Sequence, residues 1–537
     1  MMKNFLSFIA VFLFGIFIAS ADRNRTTTVS DSASQWSETA MNISPKESIL
    51  DIDLSEIDLF FQKYPKLKNY KLEVITLYQN HNYNTIWFDS KGLIEFASLL
   101  YAKVSQLKNE GLNFNLAYQD KIAAIFNKGS TADLSPMDTE IMLSTMYIFY
   151  AKKVFHGIDS EKFKETDWFL PRKNVSYTNL LDSLLTVPKL LDKNEKQLFG
   201  QYYKLRNALR KYREIEKSGD WPLIETNPLV PIHHLRDSSK IIGQIRHRLY
   251  VLEDLKEDSQ SNVFDQELME GVLKFNRRNG YQAHQYIGPR QINRMNIPIT
   301  SYIKTIIVNM ERCRWIPPAL AKEDEFIIVN VPSFKLIYFK NGQRALESKV
   351  FVGINMMETV IFSSNISRII FSPYWNVPRS IIENEIKPAM KKDPDYLEKK
   401  NMEWNNGNVR QKPGDQNALG LVKFVFPNTY DIYLHDTPYK TNFEVEIPMF
   451  SHGCINMQKA KELALLILKD NPNWPSEKIS KTMNGGKETT YVLKNKIPIH
   501  IGYFTAWVND ADEINFYFDI YYKDNSLADL LFYDDYK

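Results

Sequence analysis

Only two of the 537 residues are cysteine, Cys313 and Cys454. With one pair at most, the chain is not a disulfide-stapled scaffold. Net charge is also small: 67 basic against 64 acidic residues leave +3. That gives no basis for nucleic-acid binding, which needs a concentrated basic face. Long apolar runs are missing beyond the first twenty residues, so no later membrane span is predicted. No cysteine follows the first run, which excludes a lipid-modified N-terminus. What is present is apolar and aromatic content, 44% and 13%, ample for packed cores. The length predicts about three or four domains.

The N-terminus reads as a secretory signal peptide at 1–21. Lys3 precedes an apolar run from Phe5 to Ile18, and Ala19-Ser20-Ala21 fits a small-x-small cleavage site. An uncleaved anchor is the alternative. Residues 22–50 are rich in Ser, Thr, Asn and Asp and read as a flexible linker. From 51 to 255 the pattern is helical. Phe96, Leu99, Leu100, Val104 and Leu107 recur at helical spacing, and Ile141 to Val154 is strongly apolar. This region predicts an all-α scaffold with no catalytic constellation. His233 and His234 are adjacent, so they cannot share a helix face as metal ligands do.

Residues 256–300 form a compact helical unit: Phe264, Leu268, Val272 and Phe275 share a face, Asn279-Gly280 closes that helix, and Arg290 to Met295 begins another. A connecting helix spans 301–320. The texture then changes to strands. Glu325 to Asn330 and Lys335 to Phe339 are β-rich, and Asn341-Gly342 predicts a tight turn. A polar insertion at 379–419, longer than an ordinary loop, reads as a helical lid over a site. Strands return to about 510, and 511–537 is a C-terminal tail ending in a helix. The expected fold class is multidomain α+β.

The chemistry gathers at Ser451-His452-Gly453-Cys454-Ile455-Asn456. A thiol with histidines in folding reach has the parts of a nucleophile and its base. His435, delivered by the strand Ile432-Tyr433-Leu434, is favoured as base, with His452 organising the loop. Asp436 follows His435 directly, so its side chain is expected to point away, and a backbone carbonyl can orient the imidazole instead. Gly453 and Cys454 are the local candidates for oxyanion N–H donors. Cys454 is expected just before a helix N-terminus, whose dipole lowers a thiol pKa. Three other readings stay open: a disulfide with Cys313, a buried small residue, and a zinc ligand, though a zinc site needs three or four ligands.

This segment resembles the L,D-transpeptidase catalytic domain, also called YkuD, whose signature is a histidine, a spacer and Ser/Thr-His-Gly-Cys. Pro373 to Ile381, Asn417-Ala418-Leu419-Gly420, Lys423 to Asn428, Tyr433 to Pro438, Asn309 to Trp315 and Ile497 to Trp507 are similar to the large YcbB-type murein enzymes. The unit at 256–300 resembles a three-helix peptidoglycan-binding module. The resemblance implies a periplasmic enzyme, exported across the inner membrane, that forms peptidoglycan cross-links. Cys454 would be the nucleophile and His435 the proton donor and acceptor. Ser451, His452 and Gly453 would support them, and Tyr433, Trp375, Asn376 and Asn456 would contact substrate. It implies no cofactor and no metal, peptidoglycan stem peptides as partners, association with other wall-synthesis enzymes, a monomer, and a carbapenem-reactive thiol. A carboxypeptidase or endopeptidase on the same stems, or a non-catalytic wall-binding scaffold, is the competing expectation. Asn456 stands where YcbB-type members usually carry Arg, which removes a fixed charge from that point.

Overall fold

The computed structural model describes residues 50–127 and 134–532. The expected signal peptide and all of the linker but residue 50 lie outside them, as does the end of the tail. Among the described residues no helix is long and apolar enough to cross a membrane.

Helices start where a short polar side chain caps an apolar stripe. Asp53, Ser135, Ser239 and Asp265 each accept a hydrogen bond from the backbone N–H three residues on. These caps open α1 (Leu54–Lys63), α3 (Pro136–Ala151), α5 (Lys240–Val251) and α6 (Gln266–Arg278); α2 (Lys71–Asn80) and α4 (Gly200–Ser218) are further helices of this half, as are Glu95–Ser105 and Tyr177–Thr186. α3 is apolar almost all round and therefore sits centrally. Its buried Glu140 accepts from Ile86 N–H, Trp87 N–H and the Tyr78 hydroxyl. The half is not purely helical: Phe88–Asp89 pairs with Gly92–Leu93, and β1 (Trp168–Phe169) joins the large sheet.

The compact unit expected at 256–300 begins further upstream. α5, which falls inside the stretch read as scaffold, meets the cap of α6 through Arg246 and Met295 O of α7 (Pro289–Met295) through Arg248. Isolated bridges tie Ser238 to Val263 and His233 to Ile287. The buried Arg246 of α5 donates to Ser261 O and Val263 O and ion-pairs with Asp265 and Glu267.

α8 (Ile299–Trp315) was expected only as a connector, yet it is buried along most of its length. Its Glu311 accepts from Ile158 N–H at 2.7 Å and from Trp315 Nε1 at 2.8 Å, and it pairs with Arg314 at 2.9 Å. Arg314 in turn donates to Glu110 O. On its other side Asn309 meets Thr505 and Arg312 meets Asp524 of α11 (Lys523–Phe532). Helical and β parts thus share one continuous hydrophobic core.

The β part is a sheet that returns on itself. Its strands are β2 (Glu325–Asn330), β3 (Lys335–Lys340), β4 (Gln343–Gly353), β5 (Ile361–Phe371), β9 (Val422–Val425), β10 (Leu434–His435), β12 (Ile455–Met457) and β13 (Thr489–Gly502). Pairing runs β9-β10-β12-β4-β3-β2-β13-β5 and then back to β9, which leaves none of these strands as an open edge. The expected turn at Asn341-Gly342 is present, both residues at positive φ. A further strand, β11 (Met449–Ser451), lies parallel to β4.

Between β5 and β9 stands the insertion. It was expected to be helical, and only its first half is, through α9 (Lys387–Lys392) and the turns flanking it. Its second half is the hairpin β7 (Met402–Asn405) and β8 (Asn408–Gln411), with β6 (Trp375–Asn376) paired to β8. The insertion has its own small core of Val377, Ile381, Ile382, Ile386 and Val409, separate from the main one. Asn417 closes its neck, donating to Pro373 O and Lys412 O.

Candidate active site

Strand register decides which side chains meet. β10 runs parallel to β12 with His435 opposite Asn456, and antiparallel to β9 with His435 opposite Lys423. Side chains alternate along a strand, so Lys423, Tyr433, His435, Cys454 and Asn456 share one face. The intervening Val422, Phe424, Leu434, Ile455 and Met457 are fully buried on the other. The shared face forms the floor of a cavity of about 1150 Å³ beside the insertion. Tyr433, Trp375, Asn376 and Asn456, the expected substrate contacts, all line it. Asn456 is buried in the cavity wall, whereas Asn376 is exposed.

Cys454 leads into β12 rather than into a helix. The following helix, α10 (Ala460–Ile467), begins six residues later, beyond the reach of its dipole, which acts within the first turn. Burial pushes the Cys454 thiol up, and the backbone and hydroxyl of Tyr433, then Lys423, act in the other direction. The sulfur donates to Asp431 O at 3.6 Å. Both cysteines are free, Cys313 being buried in α8, so the disulfide reading fails.

His435 is buried, and burial moves its pKa down to about 4. The imidazole is therefore neutral at physiological pH. Its Nδ1 lies 2.5 Å from Asp436 O, which assigns the proton to Nδ1 and leaves the Nε2 lone pair as acceptor. The backbone-carbonyl tether expected from the sequence is thus the one observed. The Asp436 carboxylate points elsewhere, accepting from Leu421 N–H at 3.0 Å and pairing with Lys440 at 2.5 Å.

His452 does not organise the nucleophile loop. It is part-exposed and reaches Glu385 of the insertion at 3.3 Å. Ser451 holds the loop instead: its Oγ donates to Cys454 O at 2.5 Å and accepts from Gly453 N–H at 3.2 Å. Gly453 N–H is thereby engaged within the loop, leaving Cys454 N–H as the local oxyanion donor. Gly453, at φ +104, adopts a backbone conformation that favours glycine. Thr359, outside every motif, donates to Gly453 O at 2.9 Å and accepts from Gly353 N–H at 3.0 Å. The Tyr521 hydroxyl accepts from Thr359 N–H and donates to Gly353 O. Nothing local in the sequence marks Thr359 or Tyr521, because Gly453 lies 94 residues from Thr359, and Thr359 and Gly353 lie 162 and 168 residues from Tyr521. Replacing Ser451 with alanine should lower the acyl-transfer rate about tenfold while the thermal midpoint stays close to wild type, checked by parallel kinetics and melting.

A thiol and a neutral tethered imidazole lining one cavity, with a backbone N–H at the cysteine itself, have the parts of a cysteine-dependent acyl-transfer centre. Among the described residues no cluster of three or more metal-ligand side chains gathers.

Residues 324–478 match the L,D-transpeptidase catalytic domain family, YkuD, and residues 73–209 match a family described as a scaffold domain. A curated protein of Haemophilus influenzae, named "Putative L,D-transpeptidase", is 31% identical over 280 residues, 48% of this chain and 56% of that protein. The chain therefore spans about half the length of that relative. Among solved structures, an L,D-transpeptidase of Stackebrandtia nassauensis is similar at 15% identity, covering 50% of this chain and 94% of that one, with a TM-score of 0.23. A variant of the Enterococcus faecium L,D-transpeptidase is similar at 14% identity, covering 33% and 50%, with a TM-score of 0.17.

Proposed function

We propose that the protein is a periplasmic L,D-transpeptidase that cross-links peptidoglycan stem peptides through a Cys454 thioester. The observation that carries this reading is the shared face on which Cys454 and the neutral, carbonyl-tethered His435 open into one cavity. His435 Nε2 takes the thiol proton after the sulfur turns away from Asp431 O, an adjustment usual for a site without substrate. The sulfur attacks the carbonyl that joins the third residue of a donor tetrapeptide to its terminal D-alanine. The developing oxyanion faces Cys454 N–H. His435 returns the proton to the amine of D-alanine, which leaves, and the thioester remains. An acceptor amine on another stem then attacks the thioester carbonyl, its proton passes to His435, and the thiol is restored.

The test is intact-mass analysis of the purified protein with a donor tetrapeptide, with and without an acceptor amine. An acyl adduct that disappears as cross-linked dimer forms supports the reading. Tripeptide as the only product would identify a carboxypeptidase, and no adduct under any condition would leave a wall-binding scaffold.

The base works only when unprotonated. With its pKa down at about 4, kcat/KM should hold through mildly acid pH and fall as pH drops through about 4, not through the ordinary imidazole range near 6.5. A pH–rate profile of donor acylation checks this.

A further inference from the structure

Lys423 stands on the same face as the thiol, opposite His435 in the sheet. Its Nζ lies 3.4 Å from the centroid of the Tyr433 ring, a distance at which the ammonium rests on the π face. The side chain is half-buried and lines the cavity. Among the described residues it has no ion-pair or hydrogen-bond partner. An ammonium drawn out of water without a carboxylate in direct contact is costly to hold, so its position calls for a function.

The surrounding charges narrow that function. His435 is neutral, and Lys423 is among the groups that keep it so. His452 is turned to Glu385. Tyr433 is held as a phenol by burial and by its proximity to the sulfur. Asp431 faces the sulfur and opposes its ionisation. Around Lys423 itself stand the sulfur, Glu488, Asp431 and, as a like charge, Arg368. Lys423 is a cation that bears on the sulfur and favours its ionised form. The position two residues after the cysteine is the uncharged Asn456.

We propose that Lys423, resting on the face of Tyr433, is the fixed positive charge that sustains the Cys454 thiolate. The inference rests on Cys454 being the nucleophile, not on which acceptor resolves the thioester. In the step it serves, the S–H bond breaks, the proton passes to His435 Nε2, and the electron pair stays on sulfur facing Lys423 and the Tyr433 hydroxyl. Lys423 exchanges no atom. It is a positioning residue that favours the charged form of one partner while disfavouring protonation of the other, so that the imidazole remains a free base until the thiol needs it.

The test reads the thiol directly. The second-order rate of Cys454 alkylation by iodoacetamide is measured on the full chain across about pH 6 to 9, where it tracks the thiolate fraction. Peptide mapping assigns the adduct, and the buried Cys313 stays unlabelled. In Lys423→Met the rate at a given pH should fall about tenfold, displacing the profile by about one unit to higher pH, because a nearby opposite charge shifts a pKa by about that much. Lys423→Arg keeps the charge and should stay within about threefold of wild type. Should Lys423→Met not fold, Lys423→Gln replaces it. Profiles of wild type and the neutral variant that superimpose overturn the proposal. So does a rise in donor KM with unchanged alkylation, which would make Lys423 an anchor for a substrate carboxylate. Loss of transpeptidation with a normal alkylation shift would count against the proposed reaction and leave the role of Lys423 intact.

Discussion

Cys454→Ala should form no acyl adduct with a donor tetrapeptide, and dimer formation should fall by about four orders of magnitude or more. Loss of a covalent nucleophile removes the whole two-step path, not one contact on it. Cys313→Ala is the matched control. That thiol is fully buried in α8, and burial pushes it far above the range in which it could ionise. It should leave acylation within about twofold of wild type, with a stability cost of about 1 kcal/mol for the small void. His435→Gln should retain the thiol but lose the acceptor at Nε2, lowering acylation about a hundredfold or more. Intact-mass time courses on the three variants separate these outcomes. Equal adduct formation in Cys454→Ala and wild type would overturn the assignment of the nucleophile.

The site was legible where its chemistry is local. The Ser-His-Gly-Cys run and the strand before His435 pointed to both residues, and a backbone carbonyl was one way to orient the imidazole; the structure supplies Asp436 O for it. Its surroundings were less so, because they are assembled across the sheet. Ile455, Asn456 and Met457 make a strand by pairing with Leu434 and His435 on one side and with Phe351 and Val350, about a hundred residues upstream, on the other. The apolar face of the next segment suggested a helix starting close to the cysteine, and it starts instead at Ala460. Lys423 reads as one polar position in an alternating strand until register sets it beside His435. The β half of the insertion carried a signal that its polar composition obscured. Asn406-Gly407, both at positive φ, is the same turn pair as Asn341-Gly342 and marks the hairpin of β7 and β8. The helical half was legible in kind, through periodicity and caps, but not in its grouping. α5 joins α6 through Arg246, whose partners lie beyond any helical period.

Glu311→Leu should be the most destabilising single change, costing about 3–5 kcal/mol. Glu311 is fully buried and satisfies three groups at once: Ile158 N–H, Trp315 Nε1–H and the Arg314 guanidinium. Removing the carboxylate leaves Arg314 a buried cation without its counter-ion, still tied to Glu110 O and Val154 O. Breaking one partner of a buried pair costs more than the pair itself contributes. The same node can be struck from the other side. Gly157 has φ +82, and a Cβ there would lie 2.2 Å from Glu311 Oε1. Gly157→Ala therefore imposes both backbone strain and a clash, and should cost about 2 kcal/mol or more. Because α8 joins the helical half to the sheet, both variants should lower the denaturant midpoint of the whole molecule and not of one half. Tryptophan fluorescence and far-UV circular dichroism, followed in the same titration, check this. Two separated transitions in wild type, with only the helical one moved by Glu311→Leu, would show that α8 does not couple the halves.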